Sequence, residues 1–246
     1  MKKLKKDKNL ITAIVPCYNS KKYIIKNIIR LINKLKKIKN TKYEIIIIDD
    51  GSEDKSHFLL MENFSKNKKI KILKNIKNMG KGYTVKKGLK HSNGKYVFFI
   101  DDDLPYFKEL NYFIKKLINN NTKILIARRV NKLKADLLFN IRNYLSDLFS
   151  LFTKYLIGIK HPDTQAGLKG FNREVLKKII NYKTNGFVFD LEIIIIANSN
   201  GIKIDDVKVV SKVKDYNNRY AIELKFYLNI FKDIMIIIYN LIFKKY

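Results

Sequence analysis

Short, mostly apolar segments alternate along the chain with longer segments in which apolar residues recur every three or four positions. Continuous apolar segments of this length predict strands that are buried on both faces of a parallel sheet. Such strands are predicted at Leu10–Val15, Tyr43–Ile48, Ile70–Leu73, Tyr96–Ile100 and Ile124–Ala127. Helices are predicted between them at Lys21–Lys37, Asp54–Ser65, Gly82–Ser92 and Lys108–Asn119. The alternation predicts βαβ units, and therefore an α/β fold with a mainly parallel central sheet flanked by helices.

The pattern changes after Arg129. An amphipathic helix rich in Leu and Phe is predicted at Lys134–Ile159, and a shorter helix at Arg173–Ile180. A strand around Ile202–Val210 and a long C-terminal amphipathic helix from about Ala221 follow. Because no repeat and no Pro/Gly-rich hinge divides the 246 residues, we expect a single domain over residues 1–246.

Composition narrows the classes of protein only in part. A hydrophobic fraction of 46% is enough to form a core, and the single cysteine, Cys17, excludes an internal disulfide framework. The net charge of +29 is compatible with nucleic acid, an anionic membrane surface, phosphorylated substrates or a compositional bias. Because the lysines are spread along the chain and no nucleic-acid-binding motif occurs, we expect no nucleic-acid partner.

Neither a secretory signal nor a membrane-spanning helix is predicted. The first apolar run, Leu10–Val15, is shorter than the apolar core of a signal peptide. The longest apolar stretch, Phe226–Phe243, is interrupted by Lys232 and Asp233. From the single cysteine we expect a protein of a reducing compartment.

Clusters of carboxylates follow two of the predicted strands. Asp49 and Asp50 come directly after Tyr43–Ile48, and Asp101-Asp102-Asp103 follow Tyr96–Ile100. Open α/β sheets bind ligands beyond the carboxyl ends of their strands. Three consecutive aspartates repel one another unless a cation compensates, and Mg²⁺ commonly takes one or two carboxylates together with substrate phosphates. The sequence therefore predicts a site for a divalent cation and a phosphorylated ligand at this edge.

Four segments in this order and spacing resemble the family 2 inverting glycosyltransferases, which have the GT-A fold: Thr12–Asn19, Ile48–Ser52, Asn78–Gly82 and Asp101–Asp103. The resemblance implies transfer of a sugar from a nucleotide-sugar donor with the help of Mg²⁺ or Mn²⁺. It assigns residues from about 1 to 129 to the nucleotide sugar, and residues from about 130 to 246 to the acceptor.

The resemblance also implies individual roles in donor binding. Asp101 and Asp103 correspond to the Asp-x-Asp motif and are the implied metal ligands, while the middle residue, Asp102, replaces a residue that is usually small. Asp50 is expected to accept a hydrogen bond from the base, and Asp49 to support the turn. The residues implied to bind the nucleotide sugar are Pro16, Tyr18, Asn19, Asp49, Asp50, Lys81, Asp101 and Asp102.

Later segments resemble the polyprenyl-phosphate members of that family, which include dolichyl-phosphate glucosyltransferases and dolichyl-phosphate mannosyltransferases. These segments are Asp163–Phe171, Gly186–Glu192 and Asp205–Val209. Leu168 replaces the usual Phe, and Asp206 stands where Glu is commoner. The resemblance implies a lipid-phosphate acceptor, and a UDP donor is favoured because the first of these segments is nearer the glucosyl subgroup.

A phosphate acceptor is already largely anionic at neutral pH, so it needs cations more than a strong base. The predicted acceptor-phosphate contacts are Arg129, Arg142, Lys169 and Gln165, and the predicted catalytic residues are Asp103, Asp190 and Arg129. Asp190 lies about where relatives that use a hydroxyl acceptor carry their base, so its role as base or as structural group stays open. Glu192 is expected to support it.

Cellular location follows from the proposed acceptor. The two apolar helices, Lys134–Ile159 and the C-terminal one, are expected either to lie in the bilayer interface or to cover the core. We expect peripheral attachment at the cytoplasmic face of a membrane. The alternatives are a sugar-hydroxyl acceptor in polysaccharide or glycoprotein assembly, a catalytically inactive membrane scaffold, and a basic nucleic-acid-binding protein. The sugar and the oligomeric state are not predicted.

Overall fold

The computed structural model describes residues 10–130, 166–210 and 224–243. Seven strands are present in these ranges: β1 (Leu10–Cys17), β2 (Lys42–Asp49), β3 (Ile70–Lys74), β4 (Tyr96–Ile100), β5 (Ile124–Arg129), β6 (Leu168–Asn172) and β7 (Ile204–Val209). The described helices are α1 (Ile24–Lys36), α2 (Ser56–Phe64), α3 (Lys81–His91), α4 (Leu110–Asn119), α5 (Arg173–Ile179), α6 (Phe189–Ser199) and α7 (Leu224–Ile242).

All seven strands form one sheet in the order β3-β2-β1-β4-β6-β5-β7. The pairs β1–β2, β1–β4, β2–β3 and β5–β7 are parallel, whereas β6 runs antiparallel to both β4 and β5. Cys17 pairs in register with Asp49, so the carboxyl ends of β1 and β2 lie at the same edge of the sheet. The loops that follow β1, β2 and β4 therefore meet at this edge.

Helices cover both faces of the sheet. In β1, Ala13 and Val15 pack in the cluster that contains α1, α2 and α4, whereas Ile14 packs in the cluster that contains α3, α5, α6 and α7. The same alternation places Phe98 on the first face and Phe99 on the second. Strands of this kind are apolar at successive positions because each face is buried, which is why they read as continuous apolar segments.

The strands predicted in the first 129 residues are confirmed, and the helices between them begin one to three residues away from the predicted starts. Two elements were not predicted, β6 and α6. β6 contains Lys169, Gly170 and Asn172 and lacks the apolar pattern of a strand, so its pairing with β4 and β5 decides its conformation. α6 contains the β-branched run Ile193–Ile196, which locally favours a strand, yet burial on all sides keeps it helical.

The predicted helix Lys134–Ile159 lies outside the described residues. The C-terminal helix is described from Leu224. Among residues 10–130, 166–210 and 224–243, none of the helices combines the length and the apolar character needed to cross a bilayer.

Candidate active site

Asp50 organises the loop that leads into α3. Its carboxylate accepts hydrogen bonds from Asn75 Nδ2 at 2.7 Å, from the Met79 backbone N–H at 2.9 Å and from the Gly80 backbone N–H at 3.0 Å. Asp50 itself follows β2 and is buried. A carboxylate in this position orients backbone N–H groups, and the loop that carries Lys81 is thereby held at the edge of the sheet. The base contact predicted for Asp50 stays a prediction.

The loop after β1 is tied to the loop after β2. Asn19 donates its backbone N–H to Ser52 Oγ at 2.9 Å, and its side-chain oxygen accepts from the Glu53 N–H at 3.0 Å. Asp49 accepts from the Ser52 backbone N–H at 3.2 Å, and the role expected for it beside the nucleotide sugar stays a prediction. Tyr18 is exposed beside these loops. The two loops therefore form one hydrogen-bonded border of the site, with one aromatic ring at its surface.

The N-terminus of α3 packs closely against a second loop. Gly82 donates its N–H to the Gly186 carbonyl at 3.2 Å, and Tyr83 donates to the Asn185 carbonyl at 3.2 Å. Gly80 has φ +93°, and a Cβ there would lie 2.4 Å from the Asn185 carbonyl oxygen, so only glycine fits. The first turn of α3 is thus fixed by backbone contacts on both sides of Lys81.

Lys81 forms an ion pair with Asp101, the first residue after β4, with Nζ and Oδ1 2.6 Å apart. Burial tends to lower the pKa of Lys81, but the carboxylates of Asp101, Asp190 and Asp102 outweigh it and raise that pKa. Asp101 is held from the other side by Gly167, whose carbonyl accepts the Asp101 N–H at 3.2 Å. A Cβ on Gly167 would come within 1.9 Å of Asp101 Oδ2, so this carboxylate is in close contact with a bare backbone.

Asp102, the middle residue of the acidic motif, faces α1. Its side chain accepts hydrogen bonds from Ser20 Oγ and, at 3.3 Å, from the Tyr23 hydroxyl, and its carbonyl accepts from Asn27 Nδ2 at 2.9 Å. Burial raises the pKa of Asp102 to about 7, against the Ser20 hydrogen bond and with the help of Asp103 and Asp101. Asp102 therefore connects the loop after β4 to α1, and its predicted contact with the nucleotide sugar stays a prediction.

Asp190 and Lys169 form a second ion pair beneath the first. Their Oδ1 and Nζ atoms are 2.8 Å apart, and Lys169 also donates to the Ala166 carbonyl at 2.9 Å. Burial raises the pKa of Asp190, opposed by Lys169 and Lys81 and reinforced by Asp101. Because Lys169 is fully buried, the acceptor contact predicted for it would require this pair to open.

Glu192 fixes the loop that packs on α3. It accepts hydrogen bonds from the Lys183 N–H at 2.7 Å, the Thr184 N–H at 2.8 Å and the Thr184 hydroxyl at 2.7 Å. On the other side, Asp233 of α7 accepts from the Gly186 N–H at 3.1 Å. The support of Asp190 expected from Glu192 stays a prediction. Asp233 was not singled out because no motif surrounds it.

The remaining predicted residues are placed as follows. Pro16 is the penultimate residue of β1, Asp103 is half-buried in the turn after β4, and Arg129 is exposed at the end of β5. Arg142 and Gln165 lie outside the described residues. In the described parts of the chain no three His, Cys, Asp or Glu side chains converge as a metal-binding group. Asp101 and Asp103 nevertheless offer only oxygen donors, and one or two carboxylates beside substrate phosphates are a common magnesium arrangement.

The chain is similar in sequence to proteins of known families. The model of the glycosyl transferase family 2 matches residues 12–180. A dolichyl-phosphate beta-glucosyltransferase of Dictyostelium discoideum is 35% identical over 219 residues, which cover 82% of this chain and 66% of that protein. The dolichyl-phosphate beta-glucosyltransferase of Saccharomyces cerevisiae is 28% identical over 257 residues, covering 91% and 77%. The chain thus spans slightly less than two thirds of the Dictyostelium relative.

The fold also has close counterparts among solved structures. Glucosyl-3-phosphoglycerate synthase from Mycobacterium tuberculosis, in complex with Mn²⁺, uridine diphosphate and phosphoglyceric acid, superimposes with a TM-score of 0.62 at 16% identity. The match covers 92% of this chain and 78% of that one. This likeness confirms the expected GT-A type of α/β fold.

Proposed function

Because the chain belongs to glycosyl transferase family 2, we propose that it transfers a hexose, with inversion, from a nucleotide diphosphate sugar to a polyprenyl or dolichyl phosphate. One observation carries the proposal. Asp50 holds the Gly80 N–H at 3.0 Å, and the next residue, Lys81, pairs with Asp101 at 2.6 Å. Three motifs that are distant in the sequence are thereby joined at one edge of the sheet, where open α/β sheets bind their ligands.

The donor is proposed to be a UDP sugar, with glucose as the first candidate. The Dictyostelium and Saccharomyces relatives are beta-glucosyltransferases by name, and the Mycobacterium structure contains uridine diphosphate. In this chain, Tyr18 would stack on or flank the base, and Lys81 would contact the diphosphate. GDP-mannose is the alternative donor that the sequence left open.

A divalent cation fits the acidic turn after β4. Asp101 already has a cation against it, the ammonium of Lys81, and both Asp101 and Asp103 present the carboxylate oxygens that Mg²⁺ and Mn²⁺ prefer. These two residues would hold the ion. When bound, it would offset the negative charge that develops on the departing nucleoside diphosphate. Lys81 can exchange its partner from Asp101 to the diphosphate because both side chains lie at the rim of the site.

The acceptor is proposed to be a lipid phosphate, recognised in the half of the chain from about residue 130. Arg129, with Arg142 and Gln165, is proposed to position the phosphate, because guanidinium groups bind two phosphate oxygens at once. Asp190 is buried against Lys169 at 2.8 Å. A carboxylate neutralised in this way supports the fold around the acceptor more readily than it removes a proton. The reaction is proposed to take place at the cytoplasmic face of a membrane, with the protein attached peripherally.

A sugar-hydroxyl acceptor is the second candidate. One observation favours it: burial raises the pKa of Asp190, and a carboxylate with a raised pKa is a better general base.

The proposal is tested with the purified 246-residue chain. UDP-glucose, UDP-galactose, UDP-N-acetylglucosamine and GDP-mannose are each incubated with a short-chain polyprenyl phosphate and Mg²⁺ or Mn²⁺, and nucleoside diphosphate release is measured together with the glycolipid product. We expect one donor to be used, release to depend on the acceptor, and EDTA to abolish it. Product on a soluble saccharide but none on the prenyl phosphate would favour the second candidate. No turnover with any donor would refute both.

A further inference from the structure

Helix α7 exposes a row of large apolar side chains to solvent. They recur every three or four residues and therefore lie on one face of the helix. The row consists of Leu228, Phe231, Met235, Tyr239 and Ile242. Each of these side chains is about half exposed or more. Soluble proteins rarely expose large apolar side chains as a continuous surface. We refer to these five residues as the α7 row.

The opposite face of α7 is the one that packs on the protein. Ile237 is buried in the cluster that contains α6, and the polar residues Asp233 and Asn240 are buried on the same side. A helix at a protein surface ordinarily turns its polar side outward. In α7 two polar residues point inward while the apolar row points outward. Covering the core therefore does not account for the row.

We infer that the α7 row binds the protein to an anionic lipid surface. Lys232 is exposed on α7, and the chain as a whole carries a net charge of +29. Apolar and aromatic side chains flanked by lysines are typical of helices that lie in the bilayer interface, where the lysines reach the headgroups. A second copy is a poorer occupant, because two chains of net charge +29 would bring like-charged faces together.

Hydrogen bonds connect the helix that carries the α7 row to the proposed active site. Asp233 accepts the Gly186 N–H at 3.1 Å, and the Gly186 carbonyl accepts the Gly82 N–H at 3.2 Å. Gly82 follows Lys81, which pairs with Asp101. Binding of α7 to a membrane therefore steadies, from the opposite face of the helix, the loop that fixes the first turn of α3. This second part of the inference rests on the proposed function.

Vesicle flotation tests membrane binding by the α7 row without any substrate. Wild-type protein is mixed with vesicles of phosphatidylcholine and phosphatidylglycerol, or of phosphatidylcholine alone. The variant Phe231→Ser/Met235→Ser is compared with Phe58→Ser/Met61→Ser, which removes a Phe that is also 63% exposed and a Met of similar exposure from α2. We expect the first variant to reduce partitioning onto the anionic vesicles by at least about tenfold, because two apolar side chains that the bilayer would bury are lost, and the second to leave it unchanged.

A charge-reversal pair provides an independent arm. Lys232→Glu is expected to weaken binding to the anionic vesicles severalfold, whereas Lys66→Glu at an exposed position next to α2 is not. Equal binding of wild type and the Phe231→Ser/Met235→Ser variant would overturn the inference. So would a wild-type dimer that this variant converts to a monomer in sedimentation velocity without lipid, since a second copy would then occupy the row.

Turnover of a short, water-soluble prenyl phosphate tests the connection to the active site. Acceptor-free anionic vesicles are expected to raise the wild-type rate severalfold and to leave the rate of the Phe231→Ser/Met235→Ser variant at its basal level, which should equal that of the wild type. Equal stimulation of both proteins would overturn the connection. An absence of turnover under every condition would refute the proposed function. The flotation result would still decide whether the α7 row binds membranes.

Discussion

Two lysine–aspartate pairs lie at the proposed active site, and they differ in how far water reaches them. Lys81 and Asp101 are 2.6 Å apart and keep side-chain exposures of 16% and 31%. Lys169 and Asp190 are 2.8 Å apart with exposures of 0% and 4%. An ion pair near solvent contributes little to stability and exchanges partners easily, whereas breaking a buried pair leaves an uncompensated charge. The first pair is suited to ligand binding, and the second to holding the fold.

The difference arises from where each lysine sits in the fold. Lys81 is the first residue of α3, at the edge of the sheet, where its side chain reaches the acidic turn after β4. Lys169 lies inside β6, which is paired on both sides with β4 and β5. Its ammonium is enclosed with the Asp190 carboxylate and the Ala166 carbonyl. Four predictions test whether the two pairs have separate roles.

The largest effect is expected from Asp101→Asn. The change removes the charge that faces both Lys81 and the proposed cation, so turnover should fall by at least about a thousandfold. The melting temperature should change little, because the pair is partly exposed. Steady-state kinetics and thermal unfolding give the two values. Asp205→Asn serves as the control. Asp205 lies on β7, 3.4 Å from Lys203, and its replacement should leave turnover normal. An Asp101→Asn protein with near-normal turnover would contradict the assignment of Asp101 to the cation site.

Lys169→Met should act mainly on stability. Asp190 would be left buried without its counter-ion, which typically costs about 3–5 kcal/mol of unfolding free energy. Urea denaturation measures this loss. The double variant Lys169→Met/Asp190→Leu should recover most of it, since both charges are then absent. If Lys169→Met unfolds at the same urea concentration as the wild type, the Lys169–Asp190 pair is not buried as described.

Asp190→Asn distinguishes the two acceptor classes. With a phosphate acceptor we expect a decrease in turnover of less than about tenfold, because Asn can still accept a hydrogen bond from Lys169. A hydroxyl acceptor would need the carboxylate as a base, and its loss would cost about a hundredfold to ten-thousandfold. The comparison is made with the acceptor that the wild type uses, and circular dichroism confirms that the fold is intact.

Lys81→Met should act mainly on donor binding. The donor KM is expected to rise about tenfold, since one cation that faces the diphosphate is lost, while stability changes by less than about 1 kcal/mol. Lys90→Met, at an exposed position on the same helix, should alter neither value. A large loss of stability in Lys81→Met with an unchanged donor KM would assign this pair to the fold as well.

Some features of the protein followed from local sequence alone. The strands β1, β2, β4 and β5 were predictable because burial on both faces requires apolar residues at successive positions. Asp49, Asp50 and Asp101 could be assigned to one edge because the carboxyl ends of neighbouring parallel strands meet there. The acidic motif and the family resemblance needed no coordinates, since both depend only on residue type and spacing.

Other features were decided by tertiary structure. β6 is a strand because β4 and β5 flank it, although Lys169, Gly170 and Asn172 give it no apolar pattern. Asp102 faces Ser20 and Tyr23 instead of sharing the environment of Asp101, because α1 lies against that side of the turn. In a chain with 51 lysines and arginines, composition cannot tell which cation is enclosed and which lies at a rim. The enclosure of a side chain depends on neighbours that are distant in the sequence, and only the packed structure specifies them.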